Sequence, residues 1–146
     1  MAKKEISYKQ VLQLQVEANT FLFNKGYINE KGELTDKPQP KIVPAIKNVL
    51  KQTDKIMAEY NDELDNLRLD HCLVDEKTKA VLKDEKGNYR FSVDGTKKLK
   101  ADIKKLLEEK VEIHQRIVQD SEVDPEEYES FIGILIPEIE PKENES

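Results

Sequence analysis

Apolar residues recur at three- and four-residue steps in two long stretches of the chain, with a short alternating stretch between them. The first stripe is Ile46, Val49, Leu50, Thr53, Ile56, Met57, Tyr60, Leu64 and Leu67. The second is Leu99, Ile103, Leu106, Leu107, Lys110, Ile113 and Ile117. Such spacing gathers each set on one face of a helix and predicts helices over residues 44–69 and 95–118. Asp94 reads as the cap of the later helix, with Gly95 and Thr96 in its first turn, and Lys104–Glu108 and Lys105–Glu109 as pairs on its exposed side. Between the stripes, AVLKDEKGNYRFSV predicts a β-hairpin over residues 79–93, its alternation placing Tyr89, Phe91 and Val93 on one face. Two long amphipathic helices joined by so short an insert are expected to fold back as an antiparallel helical hairpin with a β tip, meeting along a coiled-coil-like seam.

The N-terminal part opens with a capping box, Ser7 followed three residues later by Gln10, with Ile6 and Val11 at the staple positions around it. Val11, Leu14, Ala18, Phe21 and Leu22 then keep the helical period, and Gly26 supplies a left-handed stop, so a helix is predicted over residues 8–25. It should pack across the helical hairpin. Residues 26–43 read as a linker in which Asn29-Glu30-Lys31-Gly32 forms a tight turn, the same pattern as Asp84-Glu85-Lys86-Gly87 in the hairpin. Pro38 and Pro40 stiffen that linker, and Pro44 suits a first helical turn. Near the C-terminus, Asp124-Pro125-Glu126-Glu127 predicts a short helix leading into Phe131-Ile132-Gly133-Ile134-Leu135-Ile136, the most apolar run of the chain. The polar residues after Pro137 are expected to form no independent fold. The fold class that emerges is mainly α, a single domain over residues 1–146.

Composition supports narrow helix seams over a thick core: 37% of the residues are hydrophobic, 37% are charged, and tryptophan is absent. No apolar run is long enough for a membrane helix, so no membrane partner is expected. No apolar stretch follows MAKKEISYKQ, and one cysteine forms no internal disulfide, which together predict a cytoplasmic protein. The net charge of −6 is unevenly placed. Residues 119–146 carry ten acidic groups against Lys142, a local −9, which leaves +3 for the rest, with basic residues concentrated between Lys77 and Lys110. An acidic end and a basic middle would attract each other within one chain or between copies; the plainer reading is a solvated surface.

Chemistry-bearing residues are sparse. Asp70-His71-Cys72 and the distant His114 do not supply the four ligands or paired spacings of a structural zinc site. Nor does Cys72 have a visible orienting group for nucleophilic catalysis. The carboxylates belong to solvated faces, and the glycines are too scattered for a phosphate loop. The expectation is therefore a non-enzyme with no cofactor and no metal. Lys83, Lys86, Tyr89, Arg90 and Phe91 mix charge with aromatic rings as nucleic-acid surfaces do, but packing of the aromatic face on the helix ends explains them without a nucleic acid. The 131–136 run either folds back to complete the core or serves as an apolar docking strip for a neighbouring subunit. The candidate partner-binding set is Tyr89, Arg90, Phe91, Phe131, Ile132, Ile134, Leu135 and Ile136.

Over residues 40–118 the chain resembles a family of small phage and prophage proteins of unknown function. Pro44-Ala45-Ile46-Lys47-Asn48, Asp84-Glu85-Lys86-Gly87-Asn88-Tyr89 and Leu106-Leu107-Glu108-Glu109-Lys110-Val111-Glu112-Ile113 carry that resemblance. It implies a phage origin, with a place in the virion or in the cytoplasm of the infected cell. The helix–β-hairpin–helix order is also similar to prefoldin subunits, an analogy of architecture from which the N-terminal helix and the apolar C-terminal run depart. The expected function is a protein-interaction or structural module, a virion component or assembly factor whose partners are copies of itself or other virion proteins. A chaperone-like or inhibitory accessory protein that holds a client or host protein is the alternative.

Overall fold

The computed structural model describes residues 2–119 and 121–138. Among them are three α-helices and a two-stranded antiparallel sheet: β1 (Lys3–Ser7), α1 (Tyr8–Asn24), α2 (Ile42–His71), α3 (Val93–Glu108) and β2 (Lys110–His114). A 3-10 turn follows at Glu129–Phe131. The polar tail expected beyond Pro137 lies, from residue 139 onward, outside the described residues.

The start of α1 follows its sequence signal. Ser7 Oγ accepts from the Gln10 backbone N–H at 3.2 Å, and the Ser7 N–H donates to Gln10 Oε1 at 2.8 Å. Ile6 and Val11, the staple pair, are both buried. The helix then lies antiparallel to the first part of α2: Tyr8 meets Tyr60 with ring centroids 5.2 Å apart, and Gln15 donates to Asp54 at 2.9 Å. Val11, Leu14, Ala18, Phe21 and Leu22 on α1 and Ile42, Val43, Ile46, Val49, Met57 and Tyr60 on α2 form one continuous core cluster. Thr53 is fully buried in the same stripe and satisfies its hydroxyl by donating to the Leu50 carbonyl at 2.9 Å.

Helix α2 is longer than predicted at both ends, and α3 is shorter. Its N-cap is Ser92, whose Oγ accepts from Gly95 N at 2.9 Å, so the cap falls two residues before Asp94. At the other end the helix stops at Glu108, and Lys110–His114 is a strand, not a continuation of the helix. Lys110 breaks the apolar helical stripe, while Val111 and Ile113 alternate with Lys110, Glu112 and His114 in the two-residue period of a half-buried strand. The partner is β1, in the register Ile6↔Val111 and Lys4↔Ile113. Two β-branched residues, Val111 opposite Ile6 and Ile113 opposite Lys4, thus form a ladder in place of further helical turns. The pairs expected between Lys104–Glu108 and Lys105–Glu109 are not among the salt bridges formed by the described residues.

The C-terminal stretch closes the body. Asp124-Pro125-Glu126-Glu127 makes a single turn and not a helix, with Glu127 and Tyr128 N–H groups both donating to the Asp124 carbonyl. Beyond it, Phe131, Ile134, Leu135 and Ile136 are buried and Ile132 is half-buried. Phe131 stacks on Tyr128 at 5.3 Å and meets Phe21 edge-on at 5.9 Å. The Arg116 and Val118 N–H groups donate to the Ile134 and Leu135 carbonyls at 2.7 and 2.9 Å, so the segment after β2 holds this plug in place. Gly133 takes φ +78° with the Lys4 ammonium and Glu138 where a Cβ would go, which only glycine tolerates.

Two outcomes follow for solution measurements. Leu135→Ala removes a fully buried side chain and should lower unfolding stability by about 2–5 kcal/mol in urea titration. Burial, then Glu59, Glu109 and Glu63, raise the Tyr8 phenol above its ordinary value. The fold therefore holds the Tyr8 proton more tightly than the unfolded chain does. Its contribution is complete below about pH 10 and is lost as pH climbs through the raised value. Tyr8→Phe should flatten that alkaline loss of stability, read as unfolding midpoint against pH.

Candidate protein-interaction surface

Beyond Tyr60 the character of the molecule changes. Helix α2 has no buried residue after Tyr60, and α3 buries only Gly95 and Leu106. Leu64, Leu67, Leu99 and Ile103 along the α2–α3 contact are half-buried. Helix α3 starts where α2 ends: a Cβ on Gly95 would stand 2.8 Å from the His71 carbonyl oxygen. It ends beside the start of α1, where the Tyr8 N–H donates to the Glu109 carbonyl at 3.1 Å. Residues 61–105, the arm, therefore bury little, in contrast to the packed body.

The arm's end is the predicted hairpin in altered form. Isolated antiparallel bridges Val74↔Val81 and Lys83↔Tyr89 replace continuous strands. The segments at Leu73, Leu82 and Arg90 are tied in a ring: Leu73 N donates to the Arg90 carbonyl, Arg90 N to Leu82, and Leu82 N to Leu73, at 2.8, 3.1 and 2.9 Å. The strand-like part thus begins at Leu73, six residues before the predicted boundary of 79. Asp84 closes the second turn, its Oδ1 accepting from Lys86 and Asn88 N–H at 2.8 and 3.0 Å, with Gly87 at φ +82°. Asn29 in the linker does the same with Lys31 and Glu33 at 2.9 and 3.0 Å, with Gly32 at φ +79°. The shared [ND]-E-K-G pattern is one turn used twice, set by an Asx side chain and a left-handed glycine.

The candidate contact residues divide between arm and body. Tyr89 and Phe91 are half-buried, Arg90 is exposed, and Lys83 Nζ sits 5.6 Å from the Tyr89 ring centroid. Tyr89 and Phe91 border a shallow hollow of about 300 Å³ with Arg68 and Asn88. Phe131, Ile134, Leu135 and Ile136 are at the other end of the molecule's core, already satisfied within the chain. Of the two readings of that run, the structure has the one in which it completes the core. Leu69 and Val74, which sequence reasoning did not single out, are exposed near the arm's end, and Val93, expected on the packed face with Tyr89 and Phe91, is 77% exposed. Their signal was available in the pattern, since Leu69 and Val74 flank the end of α2 and Val93 precedes the α3 stripe, off both seams.

A second site joins the arm's two helices. His71 Nε2 and Asp102 Oδ2 are 2.6 Å apart, a bond across the α2–α3 contact from the last residue of α2. Neighbouring Cys72 donates its thiol weakly to the Leu69 carbonyl at 3.4 Å. Among the described residues no group of three or more His, Cys, Asp or Glu side chains could hold a metal ion. His114 lies on β2, where its N–H donates to Gln52 at 2.8 Å, far along α2 from His71. Asp70-His71-Cys72 thus serves as the root of the tip, with His71 as a clasp between helices. No helix of the described residues is long and apolar enough to cross a membrane.

No protein-family model, no curated protein and no solved structure matches this chain. The clasp makes a direct prediction. His71→Ala leaves Asp102, a third exposed, to water and should cost about 0.5–1.5 kcal/mol. Hydrogen exchange should show the loss as faster exchange within α3 and the tip, with the amides of α1 unaffected.

Proposed function

We propose that the chain is a non-enzymatic interaction module in which α2, the tip and α3 act as a helical hairpin arm that grips another protein. The observation that carries this reading is how little the arm buries: between residues 61 and 105 only Gly95 is buried. Such an arm exposes Leu69, Val74 and Val93 to water unless something covers them. Tyr89, Arg90 and Phe91 add aromatic and guanidinium contacts of the kind that dominate binding energy at protein interfaces. The sequence resemblance to small phage proteins supports a role in virion structure or assembly. The apolar run at residues 131–136 is largely buried in the body, and this reading places the contact on the arm instead.

Lysine cross-linking in the native host tests the reading, because the arm is rich in lysines. Links to other polypeptides should fall on Lys77, Lys79, Lys83 and Lys86 and on the α3 lysines. Links confined to body lysines such as Lys9, Lys47 and Lys51 would overturn it. The double variant Arg90→Glu/Phe91→Ala should weaken the complex by about tenfold or more, or ~1.4 kcal/mol, with far-UV circular dichroism unchanged.

A further inference from the structure

The basic residues of this chain lie at the far end of its longest helix and on α3, which runs back beside it, while the acidic Glu122 lies at that helix's start. Residues 77–105 carry ten basic side chains against Asp84, Glu85, Asp94 and Asp102, a net +6. On α3, Lys97, Lys98, Lys100, Lys104 and Lys105 are all exposed, on the face away from Leu99, Ile103 and Leu106. Of these, only Lys98 has an ion-pair partner among the described residues, Asp94 at 3.1 Å. Residues 121–138 hold six acidic side chains and no basic one, and Glu122, Asp124, Glu126 and Glu127 are exposed. The salt bridges of the described residues leave those four carboxylates unpaired.

Glu122 lies beside the first residue of α2, sharing a groove with Ile42 and Lys41. The tip follows the last residue, His71. Thirty helical residues separate the two ends. At about 1.5 Å of rise per residue they stand about 45 Å apart, several Debye lengths at ordinary ionic strength. The lysines of the tip therefore cannot neutralise the acidic residues at the start of α2 inside one chain. The acidic end also offers a seat. A groove of about 580 Å³ is lined by Phe21, Tyr27, Pro38, Ile42 and Val118, together with Glu122, Lys25 and Lys41. Apolar side chains that would fill such a groove are those exposed near the tip.

We propose, resting on the reading of the arm as the gripping element, that its occupant is a second copy of this chain: the basic arm of one protomer docks on the acidic end of the next. The tip's apolar side chains enter the Phe21–Tyr27–Val118 groove, and the arm's lysines lie over Glu122, Asp124, Glu126 and Glu127. The two contacting surfaces are different, so the contact is head-to-tail and propagates into a ring or a filament instead of stopping at a symmetric dimer.

Light scattering on the full chain across a concentration series tests this at low and high salt. Near 0.01 M salt, where the Debye length is about 30 Å, mass should rise with concentration beyond a dimer; near 1 M, where it is about 3 Å, it should fall to the monomer. Two charge-reversed variants sharpen the test: Lys86→Glu/Lys97→Glu/Lys100→Glu on the arm and Glu122→Lys/Glu126→Lys/Glu127→Lys on the body. Each alone should be monomeric with native circular dichroism, since three reversals bring the altered end from a net of six charges to zero. An equimolar mixture should recover association as a one-to-one pair, because the native arm of the body variant meets the native acidic end of the arm variant. Recovery on mixing supports the proposal even if each variant is somewhat destabilised. A wild-type monomer at every concentration and both salts overturns it, as does assembly that either variant retains alone. If the monomer instead binds duplex DNA through the same lysines, the arm's occupant is a nucleic acid and self-docking is overturned. A monomer whose tip lysines still cross-link to other polypeptides overturns self-docking alone and leaves the arm as a gripping element.

Discussion

A single backbone bond organises the meeting of five elements: the Tyr8 N–H donating to the Glu109 carbonyl at 3.1 Å. Tyr8 is the first residue of α1, and its N–H has no partner within the helix. Glu109 is the residue between α3 and β2, with a carbonyl freed by the end of the helix. Joining these two orphans fixes the last turn of α3 against the first turn of α1 and continues directly into the β1–β2 ladder. Tyr8's ring, in turn, lies on Tyr60 of α2. The direction in which the arm leaves the body is therefore determined where the strand pair, the capping box and the α3 terminus coincide.

From that junction the two parts of the molecule follow opposite economies. In the body, aromatic rings from two distant stretches, Phe21 on α1 and Tyr128 and Phe131 near the C-terminal end, interlock, and the segments on either side of residue 120 contribute to one core. In the arm, side chains meet along one seam and stay half-wet, and order rests on polar devices. Ser92 caps α3, Asp75 and Asp84 fold the turns, and His71 holds Asp102. Polar devices of this kind fix geometry without consuming apolar surface. That division leaves the arm shaped yet chemically open, which suits a contact element.

Much of this was legible in the sequence where one signal dominated. The capping box at Ser7 and Gln10, the stripe from Ile46 to Tyr60 and the paired [ND]-E-K-G turns each appear as the pattern implied. The failures share a cause, competition between two periods in a short segment. Lys110–His114 fits one more helical turn and a half-buried strand equally well, and its partner β1 has a single buried apolar residue, Ile6, followed by Ser7. Nothing local announces such a strand; the pairing exists because distant residues meet. Asp124-Pro125 carried a strong helix start, yet Tyr128 and Phe131 are drawn onto Phe21 before a helix can propagate. For the candidate contact, the charge asymmetry was visible in composition, while the distance between the tip lysines and Glu122 required the length of α2.

The placement of the plug has a consequence for how the chain reaches its fold. Lys3–Ser7 must find Lys110–His114, and Phe21 must find Phe131, each across more than a hundred residues of sequence. The arm's contacts, by contrast, are made between neighbours along the chain. During synthesis the arm is therefore able to form while α1 and the start of α2 still hold a bare apolar trough, and the trough is sealed only when residues 131–136 have emerged. A chain cut short before that run would lack the side chains that cover this trough, leaving the apolar faces of α1 and α2 open to water.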